Sequence, residues 1–302
     1  MKHSHNRQAP STAGAVALVV VAMTSVQAGA AIAKKLFPVV GSTGATALRL
    51  LVAAVILAAV LRPWRVRMGA AAWRSVLVYG IALAGLNGLF YAALRTVPLG
   101  IATALEFTGP LLVAVLASRR PLDFAWIALA VGGLLLLLPL GATQTALDPV
   151  GVAYALGAGV CWALYIVFGQ RAGADHGVQV TALGVAIAAV CVLPFGIAEA
   201  GTALLDPGLL PLAAGVAVLA TALPYSLEMI GLSRLPQKTF GTLMSLEPAI
   251  GAVSGLVLLN EHLVPMQWLA IGAIIAASAG TAATSGEAGD PGLLGEPPIV
   301  GT

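Results

Sequence analysis

Two glutamates and one arginine sit where an apolar chain offers them little company. Glu106 lies in the stretch from Gly100 to Arg120, Glu247 stands beside Pro248 in a second apolar stretch, and Arg49 interrupts a third. A charge at the centre of a membrane-spanning helix costs about 2.5–3.5 kcal/mol on insertion scales, so such groups face a protein interior or a water-filled path. A carboxylate in that setting can carry a proton or bind an ammonium group, and an arginine is its natural counter-ion. Pro110 removes a backbone donor and crowds the carbonyl four residues earlier, so the helix is expected to loosen over Thr108-Gly109-Pro110, beside the charge. Glu106, Glu247 and Arg49 are therefore the first candidates for a solute or proton pathway. The plainer alternative is a buried ion pair that only fixes helix packing.

Neutral polar side chains in other apolar runs extend the set. Gln27, Asn87, Tyr91, Tyr165 and Tyr225, with Trp162 in second rank, can orient a zwitterion by hydrogen bonding, although any one of them also serves as helix glue or an interface anchor. Asn87 stands out because only Gly, Leu and Phe flank it, and glycines 85, 88 and 109 are expected to let backbone or ligand come close. Glu228 is also second-rank: Arg234 and Lys238 follow it, which favours snorkelling or a loop salt bridge. The four histidines show no ligand spacing, so neither a metal nor another cofactor is expected. Cys161 and Cys191 read as packed thiols. Without a GxxxxGK[ST] phosphate loop, transport would run on an ion gradient or down the solute gradient, and the embedded carboxylates are compatible with proton coupling. The chain also lacks the nucleophile, metal or acidic cluster that an enzyme would need.

The elements that must carry these residues are membrane helices. Of 302 residues, 59% are hydrophobic and 9% charged, and mean hydropathy is +0.98, whereas soluble chains are about 25% charged. Long apolar runs favour helices over a barrel, whose strands alternate. The excess of +3 is a topology signal, not a nucleic-acid footprint. A span needs about 20 apolar residues, and ten windows qualify: 13–33, 42–61, 73–94, 98–117, 124–141, 150–170, 178–199, 208–231, 239–259 and 265–284. The run over 13–33 is longer than the apolar part of a signal peptide, so an uncleaved first helix is expected.

Lys and Arg in the loops orient the chain. Eleven lie on the side of the N-terminus, three on the other, and Arg49 is inside a span, which places both termini in the cytoplasm. The two halves echo each other: Arg95-Thr96-Val97-Pro98 precedes Glu106 and Pro110 as Arg234-Leu235-Pro236 precedes Glu247-Pro248. Five spans per half is odd, so the second copy inserts upside down, an arrangement that places a site near the midplane between the halves. The expected architecture is all-α and integral to the membrane, with ten transmembrane helices in two inverted five-helix repeats. Residues 1–12 form a cytoplasmic N-terminus, 13–141 the first repeat, 150–284 the second, and 285–302 a disordered cytoplasmic tail.

Several stretches carry a resemblance. They include Lys35-Leu36-Phe37-Pro38, Thr46-Ala47-Leu48-Arg49-Leu50, Ala104-Leu105-Glu106-Phe107-Thr108-Gly109-Pro110-Leu111, Gly169-Gln170-Arg171-Ala172-Gly173-Ala174, Leu223-Pro224-Tyr225-Ser226-Leu227-Glu228 and Glu247-Pro248-Ala249. Over nearly its whole length the chain resembles the drug/metabolite transporter superfamily, EamA type, and within it the exporters of threonine and homoserine. The resemblance implies a multi-pass protein of the bacterial inner membrane that exports small neutral amino acids, driven by the proton gradient. The superfamily also moves other metabolites and drugs, and a non-transporting scaffold is the alternative of another class.

Overall fold

A computed structural model describes residues 12–117, 121–137, 147–176, 179–232, 243–244 and 246–285. These residues form helices and turns, with no strand among them. Five segments are long and apolar enough to cross a membrane: Val16–Leu61, Ala70–Ala93, Pro149–Gly169, Gln179–Leu205 and Pro207–Glu228. Shorter apolar helical segments are Leu99–Val113, Phe124–Gly133, Glu247–Leu259 and Pro265–Ala277. The expected tail and the loop cations Arg119, Arg120, Arg234 and Lys238 lie outside the described residues.

The helices are α1 (Thr12–Ala33), α2 (Phe37–Leu61), α3 (Ala70–Ala93), α4 (Leu99–Glu106), α5 (Thr108–Ala117), α6 (Pro121–Leu137), α7 (Pro149–His176), α8 (Gln179–Ala200), α9 (Leu210–Ala217), α10 (Leu223–Leu232), α11 (Glu247–Leu259) and α12 (Pro265–Ser285). A π-helical turn, Val218–Ala222, joins α9 to α10. The window 98–117 is therefore two helices. Its break falls at Phe107, one residue before the expected Thr108, because Thr108, Gly109 and Pro110 form the first turn of α5, where proline needs no backbone donor.

Small residues set the packing. Ala45, Ala47, Ala53, Ala155, Ala158, Ala182, Ala188 and Ala217 are buried in one central cluster, while Val55, Val60, Leu116 and Phe195 face outward, as lipid-exposed helices require. Helix α2 packs on α8, α3 on α7 and α8, α1 on α10 and α11, α4 on α11 and α7, and α6 on α12. Of the three glycines singled out for close approach, Gly85 abuts Cys161 and Gly109 abuts Gly159, but a methyl group at Gly88 would meet open space. Both cysteines are free and half-buried.

Two carboxylates from the later half of the chain cap helices of the earlier half. Glu261 accepts from Lys34 Nζ (2.7 Å) and from Leu99 N at the start of α4 (2.8 Å). Glu199 accepts from Thr43 N (2.7 Å) and Gly44 N (3.3 Å), with Arg95 at 3.8 Å. The second cap depends on Gly41, whose φ of 70° kinks α2 and whose missing Cβ leaves room for the Glu199 carboxylate. Gly41→Ala is expected to destabilise the protein by about 2 kcal/mol or more, from backbone strain and displacement of that carboxylate, read as a lower thermal midpoint in detergent. Outside the spans, Asp148 caps α7 through Val150 N (3.1 Å) and Gly151 N (3.2 Å). The Thr96 hydroxyl and these amides hold its carboxyl below the usual range.

Candidate solute site

The interior cavity is assembled from seven helices. Helix α1 brings Gln27, α2 brings Arg49, α3 brings Asn87 and Tyr91, α4 ends on Glu106, α7 brings Trp162 and Tyr165, α10 brings Tyr225 and Glu228, and α11 begins with Glu247. All ten side chains singled out from the sequence line this one cavity. About 70 Å³ within it is open to water, several times the ~10–15 Å³ that a cavity needs to hold one water.

Arg49 is the best-anchored member and is 2% exposed. Its Nη1 donates to Ala220 O (3.0 Å) and to Thr221 Oγ1 (2.9 Å), both in the π-helical turn. Its Nη2 donates to Asn87 Oδ1, and Asn87 Nδ2 donates onward to Leu83 O (2.7 Å), so the asparagine amide is fixed. The guanidinium carbon lies 4.6 Å from the centre of the Tyr91 ring, at cation–π distance. The expected Arg49–carboxylate pair is not formed: neither Glu106 nor Glu247 comes within 4 Å of the guanidinium, and the ion pairs among the described residues are Lys34–Glu261 and Arg95–Glu199. The π-helical turn explains the difference, because it directs a backbone carbonyl and a hydroxyl at the guanidinium.

The carboxylates are held differently. Glu247 occupies the first turn of α11, where the helix dipole favours negative charge, and accepts from Gln27 Nε2 (3.2 Å). Glu106 closes α4 and is 7% exposed. Glu228 lines the cavity as well and completes a set of three carboxyl groups around one guanidinium, while Arg234 and Lys238, its expected loop partners, lie outside the described residues. Aromatic rings wall the site: Phe107 meets Trp162 edge-on (centroids 5.6 Å apart), and Tyr165 lies between Tyr79 (4.9 Å, stacked) and Tyr225 (6.4 Å).

Reasoning from sequence missed Thr103 and Thr221, both fully buried. Thr103 Oγ1 can donate its one proton to Leu99 O (2.8 Å) in its own helix or across to Gln27 Oε1 (3.3 Å), and in the second position it orients the amide that holds Glu247. The available signal was its place one helical turn before Glu106.

Comparison with known proteins agrees with this picture. A family model described as the EamA-like transporter family matches residues 149–283. The chain is 56% identical over 266 residues to the threonine/homoserine exporter RhtA of Escherichia coli K12, covering 88% of this chain and 90% of that protein, and it matches RhtA of Salmonella typhimurium SL1344 to the same extent. It is 26% identical to the uncharacterized transporter YwfM of Bacillus subtilis 168, covering 68% of this chain and 71% of that one. A solved crystal structure at 20% identity superposes with a TM-score of 0.61 over 92% of this chain and 99% of its own, a likeness of fold alone.

Proposed function

The chain belongs to the EamA-like transporter family, and from that premise we propose that it exports small neutral amino acids, threonine and homoserine among them, through the cavity around Arg49, Glu106 and Glu247. The observation that carries this reading is the convergence of ten polar or ionisable side chains from separate spans on one interior cavity in a relative of threonine/homoserine exporters. Three carboxyl groups against one guanidinium leave acidic capacity beyond any internal ion pair, which supports protons as the coupling ion. The asymmetry of loop cations supports an inner-membrane protein with both termini in the cytoplasm.

The packing scheme supports two inverted five-span repeats. Number the ten windows in chain order and exchange the halves, one with six through five with ten. The contact of α1 with α9 and α10 (one with eight) becomes that of α7 with α3 (six with three). The contact of α1 with α11 (one with nine) becomes that of α7 with α4 and α5 (six with four), and α2 with α9 becomes α8 with α3. The pairs α2–α8, α4–α11 and α6–α12 map onto themselves. A site on that exchange axis is where alternating access needs it.

The test is a panel of labelled solutes in proteoliposomes, with and without a pH gradient. Threonine and homoserine are expected to move, faster with the gradient. Glu106→Gln and Glu247→Gln are each expected to lower the rate at least about 100-fold while the protein still inserts. Full activity in both variants sinks the assignment of the site, and a wild-type chain that moves no labelled threonine under any gradient favours a scaffold.

A further inference from the structure

Four buried polar side-chain atoms lack a hydrogen-bond partner among the described residues, and three of them are carried by residues that line the cavity: Arg49 Nε, the Tyr91 hydroxyl and Glu247 Oε2. An unsatisfied buried polar group is costly, so a cluster of them at one cavity marks a place where a ligand supplies the missing partners. Their chemistry is divided. Arg49 Nε is a cationic donor and the Tyr91 hydroxyl a neutral one, carried on a ring whose centre lies 4.6 Å from the guanidinium carbon. Glu247 Oε2 is an acceptor, and the other oxygen of that carboxyl is already taken by Gln27. Arg49 and Glu247 stand too far apart to pair. A donor side and an acceptor side separated by an unbridged gap are complementary to a zwitterion.

We propose that the solute binds in one polarity, its α-carboxylate on Arg49 Nε and the Tyr91 hydroxyl and its α-ammonium on Glu247 Oε2; this rests on the amino-acid reading above. The remaining nitrogens of Arg49 keep their bonds to Ala220, Thr221 and Asn87, so the guanidinium is already oriented when the solute arrives. Specificity for the intact amino-acid backbone then comes from two separate ends, each rejecting an analogue that leaves its group unpaired.

The experiment is calorimetric binding to the full-length protein in detergent with three probes: L-threonine, L-threoninamide, which lacks the carboxylate, and N-acetyl-L-threonine, which lacks the ammonium. The wild-type protein is expected to bind threonine and to bind each analogue about 10- to 100-fold more weakly. Arg49→Gln is expected to erase the gap between threonine and threoninamide and keep the gap to N-acetylthreonine; Glu247→Gln is expected to do the reverse. Tyr91→Phe, which removes only the hydroxyl, is expected to weaken threonine several-fold and leave threoninamide unchanged, a readout that stands even where Arg49→Gln fails to fold. A wild-type protein that binds all three probes equally, or variants with the two patterns interchanged, overturns the polarity while leaving amino-acid export intact. A wild-type protein that binds no amino acid removes the export reading itself, and the polarity with it.

Discussion

Replacing Arg49 by alanine is expected to lower stability by about 4–7 kcal/mol and to stop export. Two contributions of different size add. The side chain makes three hydrogen bonds, to Ala220 O, Thr221 Oγ1 and Asn87 Oδ1, and interhelical bonds in membranes average about 0.6 kcal/mol each. They contribute about 2 kcal/mol together. Emptying the space of one of the largest fully buried side chains adds the cost of a cavity, about 2–5 kcal/mol for a large-to-small change. Packing is therefore the larger contribution. Arg49→Met separates it from the charge: it keeps most of the volume and abolishes the desolvation penalty of a buried cation. Thermal unfolding in detergent is expected to place Arg49→Met close to wild type and Arg49→Ala well below, with both inactive in efflux. If Arg49→Met unfolds as early as Arg49→Ala, the hydrogen bonds outweigh the packing.

The contrast between Arg49 and its surroundings also explains what the sequence reveals and what it hides. Arg49, Glu106 and Glu247 are visible in a one-dimensional reading because a charge in an apolar span carries a cost that only a protein interior or water relieves. The same argument extends to Gln27, Asn87 and the tyrosines, and all of them line the cavity. Pairing is hidden. The sequence assigns Arg49 a carboxylate, but the π-helical turn at Val218–Ala222 delivers a carbonyl and a hydroxyl instead, and no composition signal marks such a turn. Thr221 and Thr103 hide for a related reason: threonines in a span mostly bond their own helix, and only the fold gives these two an interhelical role. Glu228 ranks second in the sequence because Arg234 and Lys238 follow it, and the path of α10 places it among the residues that line the cavity. Helix existence is legible because lipid leaves the backbone little alternative; the break at Phe107 is displaced by one residue because proline is tolerated in a first turn.

That break supplies the second large effect. Pro110 has no backbone donor for the carbonyl of Glu106, and this carbonyl faces α7 at Gly159. A Cβ on Gly159 would stand 2.6 Å from Glu106 O and 3.3 Å from Thr108 Oγ1, and a Cβ on Gly109 would run into the Gly159 carbonyl. The obstacles are mostly backbone atoms, which cannot rotate away as a side chain does, so either substitution must push α5 and α7 apart. Overpacking of this kind costs about 1–3 kcal/mol, more than the roughly 0.5–1 kcal/mol that replacing glycine by alanine returns in a helix. The displacement also acts on the site, because Glu106 ends α4 at this crossing and Phe107 meets Trp162 across it. Gly159→Ala and Gly109→Ala are thus expected to lower export at least tenfold with a moderate loss of thermal stability. Gly272→Ala, at an exposed position of α12 where a Cβ meets nothing within 4 Å, is expected to keep full export and gain slightly in thermal midpoint. Equal export by Gly159→Ala and Gly272→Ala would mean that the close crossing of α5 and α7 does not position Glu106.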